Sequence, residues 1–441
     1  MYFRDTIVSQ ATPHGYSGVA VLRISGDTAL DIATKISKNV RPFSHMLSSL
    51  QPVFDEKGEK IDEGIYTFFK GPQSYTGEDV VEISCHGNPL ICKKIINASV
   101  EHGAREAEPG EYTKRAFLNG KLSLSQAESV ALLISSRSSR GLRLNIENLG
   151  GENTKRIISA RKSLLHSLSI LEYEFDVSED EQTLKNSIKT ILKLLKKISL
   201  TIIDMSKSYS IGSACANGIK MVIVGEPNVG KSTLMNQLYK ENKSIVDPTP
   251  GTTRDLVSAE INLFGFPITI TDTAGIRETK NEIEKEGVRR AKKEIETADV
   301  VLSLFTSESK PVDNIDFNKQ ILIYNKKDLK KNKTKHLDAI SISALKNKGT
   351  DLLLKKIKTL IITKYKYSGD AVINTERQAR SINQCLTRIQ EATSLLSAKN
   401  PHLELVAHEI KEAIGFLDVF LGKTTSDDIL DSVFSNFCVG K

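Results

Sequence analysis

The chain has 441 residues, a formal net charge of +7, 39% hydrophobic residues and 26% charged residues. At about 150 residues per domain, that length predicts roughly three domains with room for substantial cores. The composition is that of a soluble multi-domain chain, and no run approaches the ~18 consecutive apolar residues of a membrane span. The opening Met1-Tyr2-Phe3-Arg4-Asp5 has no basic segment followed by an apolar run, so secretion is not expected. Five scattered cysteines (Cys85, Cys92, Cys215, Cys385, Cys438) form no CxxC or CxxH pair. That pattern fits a reducing cytoplasm and argues against both a disulfide framework and a tetrahedral metal site. The basic excess concentrates in residues 216–365, with 26 Lys+Arg against 19 Asp+Glu. Much of it lies in polar stretches such as Lys326-Lys327 and residues 330–335, most simply a solvated face. Charge alone does not make this chain a nucleic-acid binder.

In chain order, residues 6–9, 19–24 and 80–84 are short β-type runs bounded by Gly, Pro or Asn. Residues 89–101 predict a helix, with Pro89 at a tolerated first-turn position and Gly103 near the end. The first 120 residues therefore predict an α+β domain. From Lys121 the apolar period lengthens. Ser125-Gln126-Ala127-Glu128 has the form of a capping box, followed by Val130, Leu133 and Ile134. Ile188, Leu192, Leu195, Ile198, Ile202 and Met205 predict an amphipathic helix. The helical period returns after residue 370, through Ile382, Cys385, Leu386 and Ile389, then Leu405, Val406, Ile410 and Ala413. Gly422 can end that helix, and Thr425 can cap a last one with Asp427 and Asp428 in its first turn. Two helical arms, 121–215 and 366–441, thus flank an inserted module over 216–365.

Within the insert, the apolar run 219–224 leads into Gly225-Glu226-Pro227-Asn228-Val229-Gly230-Lys231-Ser232, which fits G-x-x-x-x-G-K-[ST]. Glycines let such a loop wrap phosphates while backbone N–H groups point at them from a helix N-terminus. Lys231 would reach the β- and γ-phosphates, and the Ser232 hydroxyl would ligate Mg²⁺. Thr252-Thr253-Arg254-Asp255 precedes a strand over 257–263, and a Phe264-Gly265 turn returns the chain through 268–271 to Asp272-Thr273-Ala274-Gly275. Strands over 300–305 and 321–324 follow, the second feeding Asn325-Lys326-Lys327-Asp328, and residues 340–342 precede Ser343-Ala344. Strands alternating with helices imply a mainly parallel sheet with its ligand at the C-terminal strand ends. Asn325-Lys-Lys-Asp328 resembles the guanine-specificity motif of the GTPase superfamily. A carboxylate there accepts from two guanine N–H donors, and adenine offers no such pair. The ordered motifs predict GTP and Mg²⁺ at Asn228, Val229, Gly230, Lys231, Ser232, Thr233, Asp272, Thr273, Ala274, Gly275, Asn325, Lys326, Asp328, Ser343 and Ala344. Where Ras-like GTPases carry a water-orienting Gln, this chain has Ile276, which cannot hydrogen-bond water. Glu278, Glu282, Glu284 and Glu286 follow, and spacing alone does not choose among them.

The segments Asp5-Thr-Ile-Val-Ser-Gln-Ala-Thr-Pro13, Gly18-Val-Ala-Val-Leu-Arg-Ile-Ser-Gly26, Tyr75-Thr-Gly-Glu-Asp-Val-Val-Glu82, Cys85-His86-Gly87 and Pro109-Gly-Glu-Tyr-Thr-Lys-Arg-Ala-Phe-Leu118 resemble the N-terminal domain of the tRNA-modifying GTPase family MnmE, also called TrmE. Phe437-Cys438-Val439-Gly440-Lys441 resembles that family's Cys-x-Gly-Lys ending. The likeness runs along the whole chain and is weak only between about 145 and 210, where helical character alone agrees. It implies a multi-domain α/β and α fold: a folate-binding-like, dimerising α+β domain over 1–120, a helical bundle, and an inserted Ras-like P-loop GTPase domain. It implies a homodimer that works with a flavin-dependent partner, MnmG, as a heterotetramer on the carbon-5 position of wobble uridine in certain tRNAs. A 5-formyl- or methylene-tetrahydrofolate would supply one carbon, and glycine or ammonium the nitrogen.

By the same resemblance, folate contacts fall on Arg23, Glu82, Lys121 and Lys441, and the water-orienting acid on Glu284. Potassium contacts fall on Asn228, Asp247, Thr249 and Thr252, and a second magnesium contact on Thr253. K⁺ beside the phosphates would act where an arginine finger acts elsewhere. The chain departs from the pattern at Asp247 and Pro248, where a hydroxyl residue and a non-proline are expected; ligation by backbone carbonyls tolerates that change. The alternative for Arg23 is pairing with a local acid only, and Cys438 is either a reactive thiol or a small packed residue near the chain end. His86 beside Cys85 has no further metal ligands at usable spacing. The alternative function is a GTP-dependent, RNA-binding ribosome-assembly factor, which would need a KH-like module or second GTPase that the sequence does not display.

Overall fold

A computed structural model of the chain describes residues 5–38, 40–177, 181–241, 258–272, 292–312, 315–329, 338–366, 372–424, 427–435, 437 and 439–441. The chain divides into two compact units. One takes in Met1–Ala131, Leu149–Leu195 and Arg388–Lys441; the other takes in Leu132–Asn148 and Lys196–Thr387.

The first unit is built on a six-stranded sheet of β1 (Thr6–Gln10), β2 (Ser17–Ser25), β3 (Ser48–Phe54), β4 (Lys60–Phe69), β5 (Val80–Gly87) and β6 (Ala104–Glu106). Its strand order is β3-β4-β5-β2-β1-β6, with only the β1–β6 pair parallel. The hairpin β3–β4 has no counterpart in the sequence expectation. Charged residues and Pro52 dilute its alternation, yet Gly64, Tyr66 and Phe68 face inward at the strand period of two while Ile65 faces out. Helices Ala29–Ile36 and Pro89–Glu101 supply Ile32, Ile36, Ile95 and Ala98 to a core shared with Leu22, Ile24, Val81 and Ile83. Pro89 begins its helix as expected, and the Asn88 side chain caps it by accepting from the Leu90 N–H.

The capping box sits two residues earlier than the sequence pattern placed it. Gln126 Oε1 accepts from the Ser123 N–H at 3.0 Å, and Ser123 Oγ accepts from the Gln126 N–H at 3.3 Å. The helix Leu124–Ile134 therefore buries Ser125 within its first turn instead of starting there. Both Ser123-x-x-Gln126 and Ser125-x-x-Glu128 satisfy the motif, and Leu124, Ser125, Ala127 and Glu128 are all buried inside the helix that Ser123 caps.

The long helices Glu152–Val177 and Leu403–Leu421 bury Ile157, Leu164, Leu168 and Leu171 on one, and Val406, Ile410, Ala413 and Leu417 on the other. Arg161 clamps Asp418 through Nε and Nη2 at 2.6 and 3.0 Å. Gly422 ends the second helix in the left-handed conformation at φ +80°, as the sequence predicts. The last helix, Asp427–Phe434, carries both aspartates in its first turn, and Thr425 lies outside the described residues. Phe434 and Phe437 pack with Leu124, Ala127 and Leu430, and Lys114 pairs with Asp431 at 2.7 Å.

The second unit holds a six-stranded sheet of β7 (Ile219–Val224), β8 (Ser258–Leu263), β9 (Phe266–Asp272), β10 (Val300–Phe305), β11 (Gln320–Tyr324) and β12 (Ile340–Ser341), in the order β12-β11-β10-β7-β9-β8. Every pair is parallel except the β8–β9 hairpin, which turns at Phe264-Gly265 as expected. β10 is buried at every position, the mark of a strand covered on both faces. Helices Lys231–Glu241 and Thr350–Lys364 contribute Leu234, Leu238, Leu353, Ile357 and Ile361 to its core. The doubly covered parallel sheet directs its C-terminal strand ends to one edge, where the loops after β7, β11 and β12 meet near the end of β9.

Candidate functional site

At that edge the loop Gly225–Gly230 runs from β7 into the helix that starts at Lys231. Its two glycines are fixed by close approach as much as by flexibility. Gly225 has φ +151°, and a Cβ there would lie 2.3 Å from the Leu304 carbonyl oxygen; Gly230 has φ +100°, and a Cβ would meet Asn325 Nδ2 at 2.3 Å. Lys231 is buried, and its ammonium donates to the carbonyls of Gly225 and Glu226, both at 2.9 Å, which holds the charge inside the loop's curve. Ser232 Oγ donates to Asp272 Oδ2 at 2.7 Å. The hydroxyl expected at Mg²⁺ is thus in contact with the Asp272 carboxylate, from the loop after β7 to the end of β9. These are hard oxygen donors suited to Mg²⁺, which would complete its octahedron with phosphate and water. Among the described residues no cluster of three or more His, Cys, Asp or Glu could hold a metal unaided.

Asn325 ties this loop to the next. Its buried amide donates to the Val229 carbonyl at 2.8 Å and accepts from the Ala344 N–H at 3.0 Å. Ser343 Oγ donates to Asp328 Oδ1 at 2.7 Å, and Lys346 stands 3.7 Å from the other oxygen. Lys326 takes the left-handed conformation at φ +62°, and the Lys327 N–H donates to the Ile342 carbonyl. Asn228 is exposed in the phosphate loop with φ +63°, and Thr233 follows Ser232 in the first turn of the helix. Asp247, Thr249, Thr252, Thr253, Thr273, Ala274, Gly275 and Glu284 lie outside the described residues. The arrangement offers backbone N–H groups and a lysine for phosphates, two oxygens for a divalent cation, and a carboxylate for a base edge.

The four residues expected at folate lie in the first unit. Arg23 and Glu82 face each other in the register of β2 and β5, and Arg23 Nε and Nη2 both donate to Glu82 Oε1, at 2.9 and 2.7 Å. A local ion pair for Arg23 is therefore present, and the two residues act as one group. Two residues absent from the sequence expectation complete it. The guanidinium lies 5.4 Å from the Tyr75 ring centroid and 5.5 Å from that of Tyr112, whose hydroxyl donates to the Arg23 carbonyl at 2.6 Å. Burial pushes the Tyr112 and Tyr75 hydroxyls above the ordinary tyrosine range, so both stay protonated donors. Lys121 Nζ donates to the Pro72 carbonyl at 2.8 Å. Gly440 sits where a Cβ would meet the Gln10 carbonyl oxygen at 2.3 Å, which brings the Gly440-Lys441 end beside β1 and the strand that carries Arg23. Cys438 lies outside the described residues, between buried Phe437 and pinned Gly440.

Beside Tyr112 lies a partly buried ionic network, centred on Arg115 and Glu111, that the sequence did not announce. Arg115, with 3% of its side chain exposed, contacts Asp5, Glu78 and Glu111, and Arg105 bridges Asp5 and Glu111. Burial works against charge on Glu111, but Arg105 and Arg115 hold its carboxyl below the ordinary range. The network fixes the helix Glu111–Leu118 and so the ring of Tyr112. Both tyrosines and all these charges except Asp5 and Arg105 fall in the Tyr75–Glu82 and Pro109–Leu118 segments; charges recurring among apolar neighbours were the available signal.

The hydrogen bond from Ser343 holds the Asp328 carboxyl below the usual aspartate range. A carboxylate must be ionised to accept from two N–H donors; with Asp328 as the proposed guanine acceptor, GDP binding should be present above that depressed pKa and lost as pH falls through it. Replacing Ser343 by Ala removes the main cause, and the acid limb of a GDP-binding titration should move to higher pH. An unmoved limb, in a variant that binds GDP normally at neutral pH, contradicts the role given to this pair.

Two family models match the chain: GTP-binding protein TrmE N-terminus over residues 6–121, and MnmE helical domain over residues 124–438. Three relatives named tRNA modification GTPase MnmE align along nearly the full length. They come from Aquifex aeolicus at 36% identity, Thermotoga maritima at 37% and Thermosipho melanesiensis at 39%, each covering 99% of this chain and 100% of the relative. The chain belongs to the MnmE, or TrmE, family of tRNA modification GTPases.

Proposed function

We propose that this GTPase, acting with a flavin-dependent partner, installs a carboxymethylaminomethyl-type group at carbon 5 of the wobble uridine of certain tRNAs. The observation that carries this reading is the pairing of a guanine-nucleotide cradle with an aromatic-caged Arg23–Glu82 pair beside the chain's last residues. The protein would act as a homodimer within a heterotetramer and in the cytoplasm. No helix of the described residues is long and apolar enough to cross a membrane.

In the nucleotide site, Lys231 places its ammonium against the β- and γ-phosphates, and the Ser232 hydroxyl and Asp272 carboxylate orient the side where Mg²⁺ belongs. A K⁺ ion held by Asn228, together with Asp247, Thr249 and Thr252, would supply positive charge against the charge that develops in hydrolysis. Glu284 orients the attacking water, because Ile276 has no polar atom to do so. In the first unit, the hydrogen-bonded Arg23–Glu82 pair meets one end of a folate: Glu82 accepts from the N–H edge of a pterin and Arg23 orients that carboxylate, which leaves the carboxylate tail to the lysines. Tyr75, which is part-exposed, gives such a ring an apolar face, while fully buried Tyr112 backs Arg23 from inside. Lys121 and Lys441 add positive charge, and Cys438 lies on the short tail between Phe437 and Gly440.

Deleting the protein from its host and analysing tRNA wobble nucleosides tests the whole reading. The modified uridine should disappear, and the return of the same nucleoside profile as in the parent contradicts it. For the water-orienting role, Glu284→Ala should lower GTP hydrolysis on the order of 10²-fold or more with GTP affinity nearly unchanged, the signature of a group acting in the transition state. Glu282→Ala should be nearly silent. A reversed ranking of the two variants assigns the wrong glutamate.

A further inference from the structure

The hairpin β8–β9 touches the nucleotide site at one end and a helix outside the inserted sequence at the other. β9 ends at Asp272, which accepts from Ser232 in the phosphate loop. It is paired on both sides, to β7 and to β8, so it moves as part of a stiff ribbon. Seven residues at about 3.3 Å each make that ribbon roughly 20 Å long.

At the turn end, three contacts join the hairpin to the helix Ser139–Leu149 and the residues just before it. The Arg140 guanidinium lies 4.9 Å from the centroid of the Phe266 ring, which is fully buried. Asn262 Nδ2 donates to the Arg137 carbonyl at 3.1 Å, and Arg137 Nη1 donates to Glu260 Oε1 at 2.5 Å. The last pair is more than half exposed and contributes little. The stack on Phe266 is the contact that carries the connection.

The same helix grips the segment by which the chain leaves the GTPase sheet. Asn148 Nδ2 donates to the Val372 carbonyl at 2.8 Å, and Asn374 Nδ2 donates to Asn145 Oδ1 at 2.8 Å, both buried. On its other side, the Ile373 N–H donates to Ser208 Oγ at 3.0 Å. Gly212 has no room for a side chain, since a Cβ would lie 2.0 Å from the Ile373 carbonyl oxygen. Buried amide contacts of this kind favour discrete arrangements over gradual sliding.

We propose that the β8–β9 hairpin is a lever that relays the state of the Ser232–Asp272 end to the helix Ser139–Leu149 and its clamp on residues 372–374. The exchange of GTP for GDP at one end changes the Arg140–Phe266 stack at the other, and the clamp shifts with it. Coupling of this sort is reciprocal, so loosening the stack also changes the preference of the nucleotide site between GTP and GDP.

Hydrogen exchange on the full-length protein tests the lever without reference to tRNA, so its outcome is separable from that of the proposed modification reaction. Backbone protection over 139–149 and 372–374 is compared with GDP bound and with a non-hydrolysable GTP analogue bound. The wild type should show at least about a fivefold difference in these segments, the lower end of ordinary coupling strength. Arg140→Ala should abolish that difference while GDP binding persists. Arg140→Lys keeps the charge and loses the planar stack, so it should behave like Arg140→Ala even if the alanine variant folds poorly. Equal protection in the two nucleotide states of the wild type, or an undiminished difference in Arg140→Lys, overturns the proposal.

Discussion

The nucleotide end of the second unit depends on one buried side chain. Asn325 donates to the carbonyl of Val229 and accepts from the N–H of Ala344, so a single amide joins the loops that follow β7, β11 and β12. Removing it would leave a buried acceptor and a buried donor unpaired, at about 1–3 kcal/mol each. Its Nδ2 also occupies the space that any side chain at position 230 would need. The second glycine of the phosphate loop is therefore demanded by a residue 95 positions later as well as by its own backbone. Ser343 then aims Asp328 from the same group of loops. The phosphate cradle and the base edge are held in one geometry because they share that bridge.

The first unit solves a different problem, that of holding charges in a water-poor place. Arg115 and Arg105 pair with Glu111, Glu78 and Asp5, and the helix they anchor presents Tyr112 to Arg23. Losing Arg115 or Glu111 would leave the other buried with less compensation, the costly case for internal ions. Arg23 itself is held by Glu82 and by two aromatic faces, so its orientation is set before any ligand arrives. Such preorganisation reduces the ordering cost of binding an anionic molecule. The two units thus bring to one GTPase of tRNA modification a rigid nucleotide cradle and a caged cationic group.

How much of this was legible in the sequence depended on whether a feature is local. β7 and β10 could be read directly, because a strand buried on both faces is a continuous apolar run between turn signals. The phosphate-loop and Asn325–Asp328 motifs stand out in the sequence by their fixed spacing, and the structure brings these two segments together through Asn325. β3 and β4 were missed because one face is solvated and the apolar signal is halved. The capping box was misplaced because two overlapping tetrads fit its pattern, and tertiary burial chose between them. The Arg23–Glu82 pair was named residue by residue, but its contact needs a cross-strand register over 59 positions, which no local pattern contains. The helix Ser139–Leu149 carries no motif in its sequence, since its contacts with Phe266 and Val372 exist only in three dimensions.

The central claim is that the Asn325–Asp328 group of loops selects guanine through the Asp328 carboxylate. Calorimetric titration of the full-length protein with GDP, inosine diphosphate and ADP, in the same buffer, addresses it most directly. Inosine lacks guanine's exocyclic amino group and so one of the two donors to Asp328. Loss of a charge-assisted hydrogen bond predicts binding about tenfold or more weaker than GDP, and ADP, which offers neither donor, should bind more weakly still. Equal affinities for GDP and ADP would contradict the account.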